Sequence, residues 1–207
     1  MPGWNGIIEY TKVNTQQILG YSNIKRINMR IFKPVLFCLL YFFLSACTIS
    51  PPKNIVPVGN FQLDRYLGKW YEIARLDHSF EHGLSNVSAR YRLLQNGSIE
   101  VINRGYDNDK KKWRDVTGLA KFIGNPTQGS LKVSFFWPFY GGYHIAALDS
   151  QDYSWAIVVG PSREYLWILA RKRTLPFNLQ DQLIKKVKQI GIDTNKLIWV
   201  TQEHPDA

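Results

Sequence analysis

The chain has 207 residues, 14% of them aromatic, and a formal net charge of +10 at pH 7. This length allows one domain of ordinary size and an appendage. The charge does not indicate a nucleic-acid-binding protein, because part of it precedes Cys47 and no basic helix or nucleic-acid motif accompanies it. A mildly basic face that meets anionic lipid is the simpler explanation.

The N-terminal part of the chain has the features of an export signal. Met29–Lys33 is basic, and Val35–Leu44 is a run of ten apolar residues. Such a run is too short to span a membrane, which takes about 20 apolar residues, but it suits a secretory signal. Residues 1–28 carry no signal of their own. We therefore expect Met29 to be the initiator and 1–28 to be a non-native or mis-started extension.

The end of this signal, Leu44-Ser45-Ala46-Cys47, resembles the bacterial lipobox, in which the chain is cut before the cysteine and the thiol is acylated. Thr48 follows, where lipoproteins kept in the inner membrane typically carry aspartate, so the resemblance implies the outer membrane. The expectation is a signal peptide over 29–46, a lipid on Cys47 and a tether over 47–57. The alternative is a buried apolar segment with an incidental cysteine.

Short runs of aromatic and β-branched residues follow, separated by turn residues, as in an antiparallel meander. They predict eight strands: Trp70–Leu76, Val87–Leu93, Ser98–Tyr106, Trp113–Phe122, Ser130–Trp137, Tyr143–Leu148, Trp155–Val159 and Tyr165–Arg171. Apolar residues spaced by four, four and three from Leu179 to Ile190 predict an amphipathic helix that ends at Gly191. Leu197–Val200 can add a last strand. The predicted fold class is all-β.

The first and last of the eight strands share aromatic character, and Arg171 could lie over the indole of Trp70, a contact worth about 1 kcal/mol. Gly68-Lys69-Trp70 resembles the G-x-W that opens the first strand of lipocalins, and Arg171 falls where that family places its covering arginine. Trp70–Arg75, Phe139–Tyr143 and Tyr165–Leu169 are similar to the bacterial outer-membrane lipocalins, relatives of apolipoprotein D.

The resemblance runs from about Pro57 to Gln202. It implies a domain over 58–207 folded as an eight-stranded antiparallel up-and-down barrel, with one C-terminal helix and a short final strand. It also implies that Gly68, Trp70 and Arg171 close one end of the barrel rather than contact a ligand.

Alternation within the predicted strands indicates which side chains face the barrel interior. The odd-numbered positions are apolar and their neighbours polar in two strands: Val87, Ala89, Tyr91 and Leu93, then Leu131, Val133 and Phe135. The odd-numbered positions of the other strands, together with the resemblance to apolipoprotein D, add further residues to this set. The candidate ligand-binding residues are Tyr91, Val101, Asn103, Val133, Phe135, Tyr143, Ile145 and Trp167. The alternative is that these side chains simply fill the barrel.

The sequence predicts no catalytic residue, cofactor or metal site. It has no G-x-S-x-G, H-E-x-x-H or Gly-rich phosphate loop. His78 and His82 flank Glu81, but they lie in Asp77–Gly83, a loop predicted to act as a lid, and no third ligand is near in sequence. Lys110–Lys112 is predicted to be a solvated hairpin flank, with contact to lipid headgroups as the alternative.

These observations predict a lipocalin anchored to the outer membrane through Cys47, with its domain facing the periplasm. The predicted ligand is a fatty acid or lysophospholipid, held for storage or transport of membrane lipids. The alternatives are a carrier of a tetrapyrrole or quinone, a lipid-modifying enzyme, and a structural barrel packed solid. No nucleic-acid partner is expected, and a homodimer is left open.

Overall fold

The computed structural model describes residues 49–204, so the predicted signal peptide and Cys47 lie outside the described residues. Nine strands are present in this part of the chain: β1 (Gly68–Leu76), β2 (Leu84–Leu93), β3 (Ile99–Asp107), β4 (Lys112–Phe122), β5 (Ser130–Phe136), β6 (Phe139–Leu148), β7 (Trp155–Val159), β8 (Leu166–Ala170) and β9 (Leu197–Trp199). The helices are α1 (Leu63–Tyr66) and α2 (Phe177–Gln189), and a 3-10 turn covers Thr194–Lys196. None of the described helices has the length and apolar content that crossing a bilayer requires.

Strands β1 to β8 form a closed antiparallel barrel. Each strand pairs with the next, and β1 closes the circle by pairing with β8, where Glu72 lies opposite Leu169. β9 bonds to β1 outside this circle, with Ala74 opposite Trp199. The predicted barrel with one C-terminal helix and a short final strand is therefore confirmed.

Some predicted boundaries were wrong. β6 begins at Phe139 rather than Tyr143, because Gly141 and Gly142 pair with β5 instead of forming a turn. A Cβ on Gly142 would lie 2.5 Å from the His144 ring, so the glycine fits this crowded strand position. Leu93, predicted to face inward, is 45% exposed because it lies at the last residue of β2, beyond the packed interior.

The up-and-down order puts alternate connections at opposite ends of the barrel. One end carries the loop Asp77–Gly83 and the β3–β4, β5–β6 and β7–β8 turns; we call this end the mouth. The opposite end carries Trp70 and α1. Phe61 packs there on Tyr66, with ring centroids 5.3 Å apart.

Two apolar cores flank the barrel wall. The inner core contains the side chains that point into the barrel, and the outer core lies between the wall and α2, where Leu183 and Val187 are buried. Lys185, Lys186 and Lys188 lie on the exposed face of α2. The predicted amphipathic helix is present, and Gly191 follows it with a φ of 78° that suits a residue without Cβ.

Residues 49–58 pack against the barrel wall, although most of this stretch was predicted to be a tether. Ile55 is 4% exposed and belongs to the outer core. The amide of Val58 donates to the carbonyl oxygen of Ile145 at 2.9 Å, and Arg163 donates to the Lys53 carbonyl. This stretch is held because an apolar side chain and several backbone groups find partners on the wall.

Candidate functional site

The closed end of the barrel is built around Trp70, which is fully buried. The guanidinium carbon of Arg171 lies 3.9 Å from the centroid of the Trp70 ring. Arg171 also donates to the carbonyl oxygens of Lys69 at 2.8 Å and Arg65 at 2.7 Å, while the Trp70 indole N–H donates to the Tyr66 carbonyl at 2.8 Å. Gly68 adopts a φ of 91°, which a residue without Cβ tolerates. Cation, indole and backbone carbonyls together seal this end.

Seven of the eight predicted ligand-binding residues belong to the inner core: Tyr91, Val101, Val133, Phe135, Tyr143, Ile145 and Trp167. Asn103 follows Val101 on the same face of β3, opposite Ala89 and Val116. Val101 and Ile145 are fully covered by their neighbours, whereas Val133, Phe135, Tyr143 and Trp167 keep some accessible surface. These four inward-facing side chains are therefore not completely enclosed by the protein.

Three tyrosines form a hydrogen-bonded chain inside the barrel. The Tyr143 hydroxyl lies 2.7 Å from the hydroxyls of both Tyr66 and Tyr91. Burial is the main cause that raises the pKa of all three phenols, so each keeps its proton at neutral pH. When Tyr66 and Tyr91 both donate to Tyr143, the proton of Tyr143 is free to point into the accessible interior. The chain thus offers one O–H donor among apolar side chains.

A second polar group lies towards the mouth and contains two buried carboxyls with one arginine. Arg75 donates to Glu72 at 2.8 Å and to the Glu81 carbonyl oxygen at 2.9 Å. The Trp167 indole N–H donates to the Glu81 carboxyl at 3.0 Å. Because Glu81 belongs to the loop Asp77–Gly83, these bonds fasten the predicted lid to the barrel. We call Glu72, Arg75, His78 and Glu81 the mouth cluster.

Burial dominates the electrostatics of the mouth cluster. It raises the pKa of Glu72, and the charge of Glu81 raises it further against the opposing effect of Arg75. Burial also raises the pKa of Glu81, while the Trp167 hydrogen bond and Arg75 act in the opposite direction. A carboxyl with a raised pKa can be protonated closer to neutral pH than an exposed one. The cluster is therefore sensitive to acidification.

His78 is a buried aromatic side chain of the lid. Its ring stacks on Phe80 with centroids 4.4 Å apart and on Tyr165 at 5.5 Å. His82, by contrast, is exposed and lies 2.9 Å from Asp77. Among residues 49–204, no group of three or more His, Cys, Asp or Glu side chains is placed to hold a metal ion.

Acidification should destabilise the fold through His78. Burial, with a smaller effect of Arg75, lowers its pKa from 6.5 to about 4. The unfolded chain then binds the His78 proton more readily than the folded one, so this contribution to stability is lost as the pH falls from 6.5 to 4. We expect His78→Phe to flatten the decline of the melting temperature over that range. His82→Phe, which replaces an exposed ring, is the control, and an equal effect of both variants would contradict this assignment.

Sequence reasoning missed Tyr66 and the role of the mouth cluster. Tyr66 lies four residues before Trp70, and its proximity to the G-x-W run was the only available signal. Glu72 and Arg75 lie in a strand whose burial pattern is almost continuous, because β1 is bulged between Glu72 and Ala74. The bulge shifts by one residue which side chains of β1 face the barrel interior, so Glu72 and Arg75 both become buried. Alternation alone cannot reveal such a shift.

A barrel of eight strands, sealed at one end and lined by partly accessible apolar side chains, defines the class of small barrels that can hold one small ligand. The family model described as a lipocalin-like domain matches residues 61–202. The chain belongs to this family.

Several curated proteins are similar to this chain over nearly their whole length. The outer membrane lipoprotein Blc of Vibrio cholerae is 47% identical over 171 residues, covering 83% of this chain and 99% of that protein. Blc of Escherichia coli K12 is 46% identical over 175 residues, with 84% and 98% covered. These likenesses identify the chain as a lipid-anchored outer-membrane lipocalin. Apolipoprotein D of Macaca fascicularis is 33% identical over 169 residues, with 79% and 86% covered.

Solved structures support the fold. Insecticyanin from the tobacco hornworm Manduca sexta matches with a TM-score of 0.56 at 20% identity, covering 73% of this chain and 86% of that one. The cockroach allergen Per a 4 matches with the same TM-score at 18% identity, covering 75% and 94%. At such low identity the likeness concerns the fold alone.

Proposed function

We propose that this protein binds a single-chain lipid, a fatty acid or a lysophospholipid, inside its barrel and stores or transports it in the cell envelope. The observation that carries the proposal is the interior surface left accessible on Val133, Phe135, Tyr143 and Trp167, in a barrel sealed by Trp70 and Arg171. An apolar interior with a few oriented polar groups suits a ligand with one acyl chain and one polar end.

The energetics of such binding are modest. Burying about 300 Å² of acyl surface at about 25 cal/mol per Å² contributes about 7 kcal/mol before the entropic cost of association. When Tyr66 and Tyr91 both donate to Tyr143, the remaining proton of Tyr143 can donate a hydrogen bond to an oxygen of the ligand. Micromolar or weaker affinity follows, which suits a protein that must also release its ligand.

We also propose that Cys47 carries the lipid anchor and that the domain faces the periplasm. Support comes from the lipobox-like Leu44–Cys47 and from the similarity to proteins named outer membrane lipoproteins. The proposed site would then lie beside the membrane in which free fatty acids and lysophospholipids arise.

The ligand site is tested by filling the interior from one strand position. Val133 and Lys132 are neighbours on β5 and point to opposite faces. We expect Val133→Trp to weaken binding of a fluorescent fatty acid by about tenfold, or about 1.4 kcal/mol. Lys132→Trp adds the same side chain outside and should leave binding unchanged. Equal affinities in the two variants, both melting as cooperatively as the wild type, would place the ligand elsewhere.

A lipid-modifying enzyme is the second candidate, and one observation favours it. Glu72 and Glu81 are buried carboxyls with raised pKa values towards the mouth, and such groups can serve as general acids or bases. Release of fatty acid from lysophospholipid by the purified protein, lost in Glu81→Gln, would establish catalysis.

The remaining alternative is a carrier of a tetrapyrrole or quinone. Native mass spectrometry of the delipidated protein distinguishes a bound lipid from these ligands.

A further inference from the structure

The β5–β6 turn at the mouth exposes a group of large aromatic side chains. Phe136, Trp137 and Phe139 are 75%, 83% and 57% exposed, and they flank Pro138 at the tip of the hairpin. We call Phe136–Phe139 the aromatic tip. Leaving three neighbouring aromatic rings in water is costly, because each can bury about 150 Å² or more. A contiguous exposed apolar group of this kind marks a surface that meets another apolar phase.

The chain upstream of the domain leaves the barrel wall close to this tip. The carbonyl oxygen of Ile49 lies 3.1 Å from where a Cβ of Gly142 would be, and Gly142 is three residues from Phe139 on β6. His144, although it points outward, is completely buried, and its ring interacts with the backbone of Ile49 and Ser50. The start of the described chain is therefore seated on β6 near its mouth end.

The distances from the tip to the anchor are short. Three residues of strand separate Phe139 from Gly142, about 10 Å. Cys47 precedes Ile49 by two residues, and two residues span at most about 7 Å. Acyl chains on Cys47 would thus emerge about 20 Å or less from the aromatic tip. A lipid anchor there brings the mouth side of the barrel to the membrane.

The charges at this end are compatible with a lipid surface. Lys110 and Lys111 are exposed in the β3–β4 turn and Lys112 is exposed at the start of β4, at the mouth like the aromatic tip. Lysines near a membrane interact favourably with anionic headgroups, while tryptophan favours the interfacial region. The aromatic tip therefore suits the apolar boundary of a bilayer, and the lysines suit its headgroups.

We propose that the aromatic tip inserts into the membrane leaflet that holds the lipid anchor, so that the mouth of the barrel faces the bilayer. A single-chain lipid then passes between bilayer and barrel without crossing bulk water. The inference rests on the anchor at Cys47, which belongs to the proposed function, but not on the identity of the ligand.

The test uses the full lipidated protein reconstituted in vesicles of phosphatidylethanolamine and phosphatidylglycerol, with or without brominated acyl chains that quench nearby tryptophans. Flotation of the vesicles first shows whether the protein is anchored. We expect brominated lipid to quench part of the tryptophan emission and Trp137→Phe to remove most of that quenching. Trp199→Phe is the matched control, since Trp199 is 44% exposed on β9, which pairs with β1 across the barrel from β5.

Three outcomes would overturn the proposal. Anchored protein without any quenching would mean that the aromatic tip points away from the bilayer. Quenching that survives in Trp137→Phe but not in Trp199→Phe would place the opposite wall on the membrane. A concentration-dependent blue shift of Trp137 emission without quenching would assign the tip to contact between two copies of the chain. Because no ligand is added, none of these results depends on what the barrel binds.

Discussion

Trp70→Ala should reduce the free energy of unfolding by about 3–5 kcal/mol, the range for replacing a large buried aromatic side chain with alanine. The indole is fully buried, packs 4.7 Å from the Tyr66 ring and donates to the Tyr66 carbonyl. Its loss leaves a cavity at the closed end and removes the surface on which Arg171 lies. Chemical denaturation monitored by circular dichroism measures the change.

The matched control for this prediction is Trp199→Ala, which removes the same side chain from a half-exposed position on β9 and should cost far less. A double-mutant cycle with Arg171→Ala isolates the contact between the guanidinium and the indole. We expect the two losses to be non-additive by about 1 kcal/mol, because Arg171 cannot interact with a ring that is absent. Strict additivity would show that Arg171 contributes only through its bonds to backbone carbonyls.

Arg75→Met should destabilise the protein by about 3–5 kcal/mol at pH 7, because it leaves two buried carboxyls without their cation. Glu72 loses its 2.8 Å partner, and the Glu81 and Leu84 carbonyl oxygens lose a donor. Arg90→Met, a change on the exposed face of β2, is the control. We expect Glu72→Gln in the Arg75→Met background to recover part of the loss, since it removes one of the two charges.

The pH dependence of this variant gives a second measurement. The folded-state pKa values of Glu72 and Glu81 are already raised by burial, so the folded protein holds these protons more tightly than the unfolded chain does. Their contribution to stability is present at low pH and is lost as the pH rises through the raised values. Without Arg75 those pKa values rise further, and the cost of Arg75→Met should shrink on acidification. A cost that is independent of pH would mean that the carboxyls do not sense the guanidinium.

Much of the fold could be predicted because the hydrophobic pattern of most segments matches the strand or helix that each segment forms. The alternation in β2 and β5 indicates the buried face, and the spacing from Leu179 to Ile190 indicates one helix. The contact of Arg171 with Trp70 joins residues about a hundred positions apart, so it came from the shared aromatic character of two strands and the resemblance to lipocalins. The missed helix α1 has only four residues, too few to show a period.

The mouth cluster could not be predicted because it depends on irregular backbone. The bulge in β1 turns Arg75 inward, and the loop Asp77–Gly83 folds back so that Glu81 meets Trp167. The sequence places Glu81 between two histidines, which raised a metal site as the less favoured alternative to two solvated histidines. The structure instead stacks His78 on Phe80 and leaves His82 outside, a distinction that spacing alone cannot make.

The seating of residues 49–58 on the wall limits how far the protein can travel. If Cys47 carries the proposed lipid, one residue, Thr48, separates it from the described stretch, in which Ile55 is buried and Val58 bonds to Ile145. A protein anchored in this way could not reach across the periplasm to deliver a ligand. An acceptor would then have to come to the membrane that holds the anchor, and the proposed function would be storage at that membrane rather than transport across the periplasm.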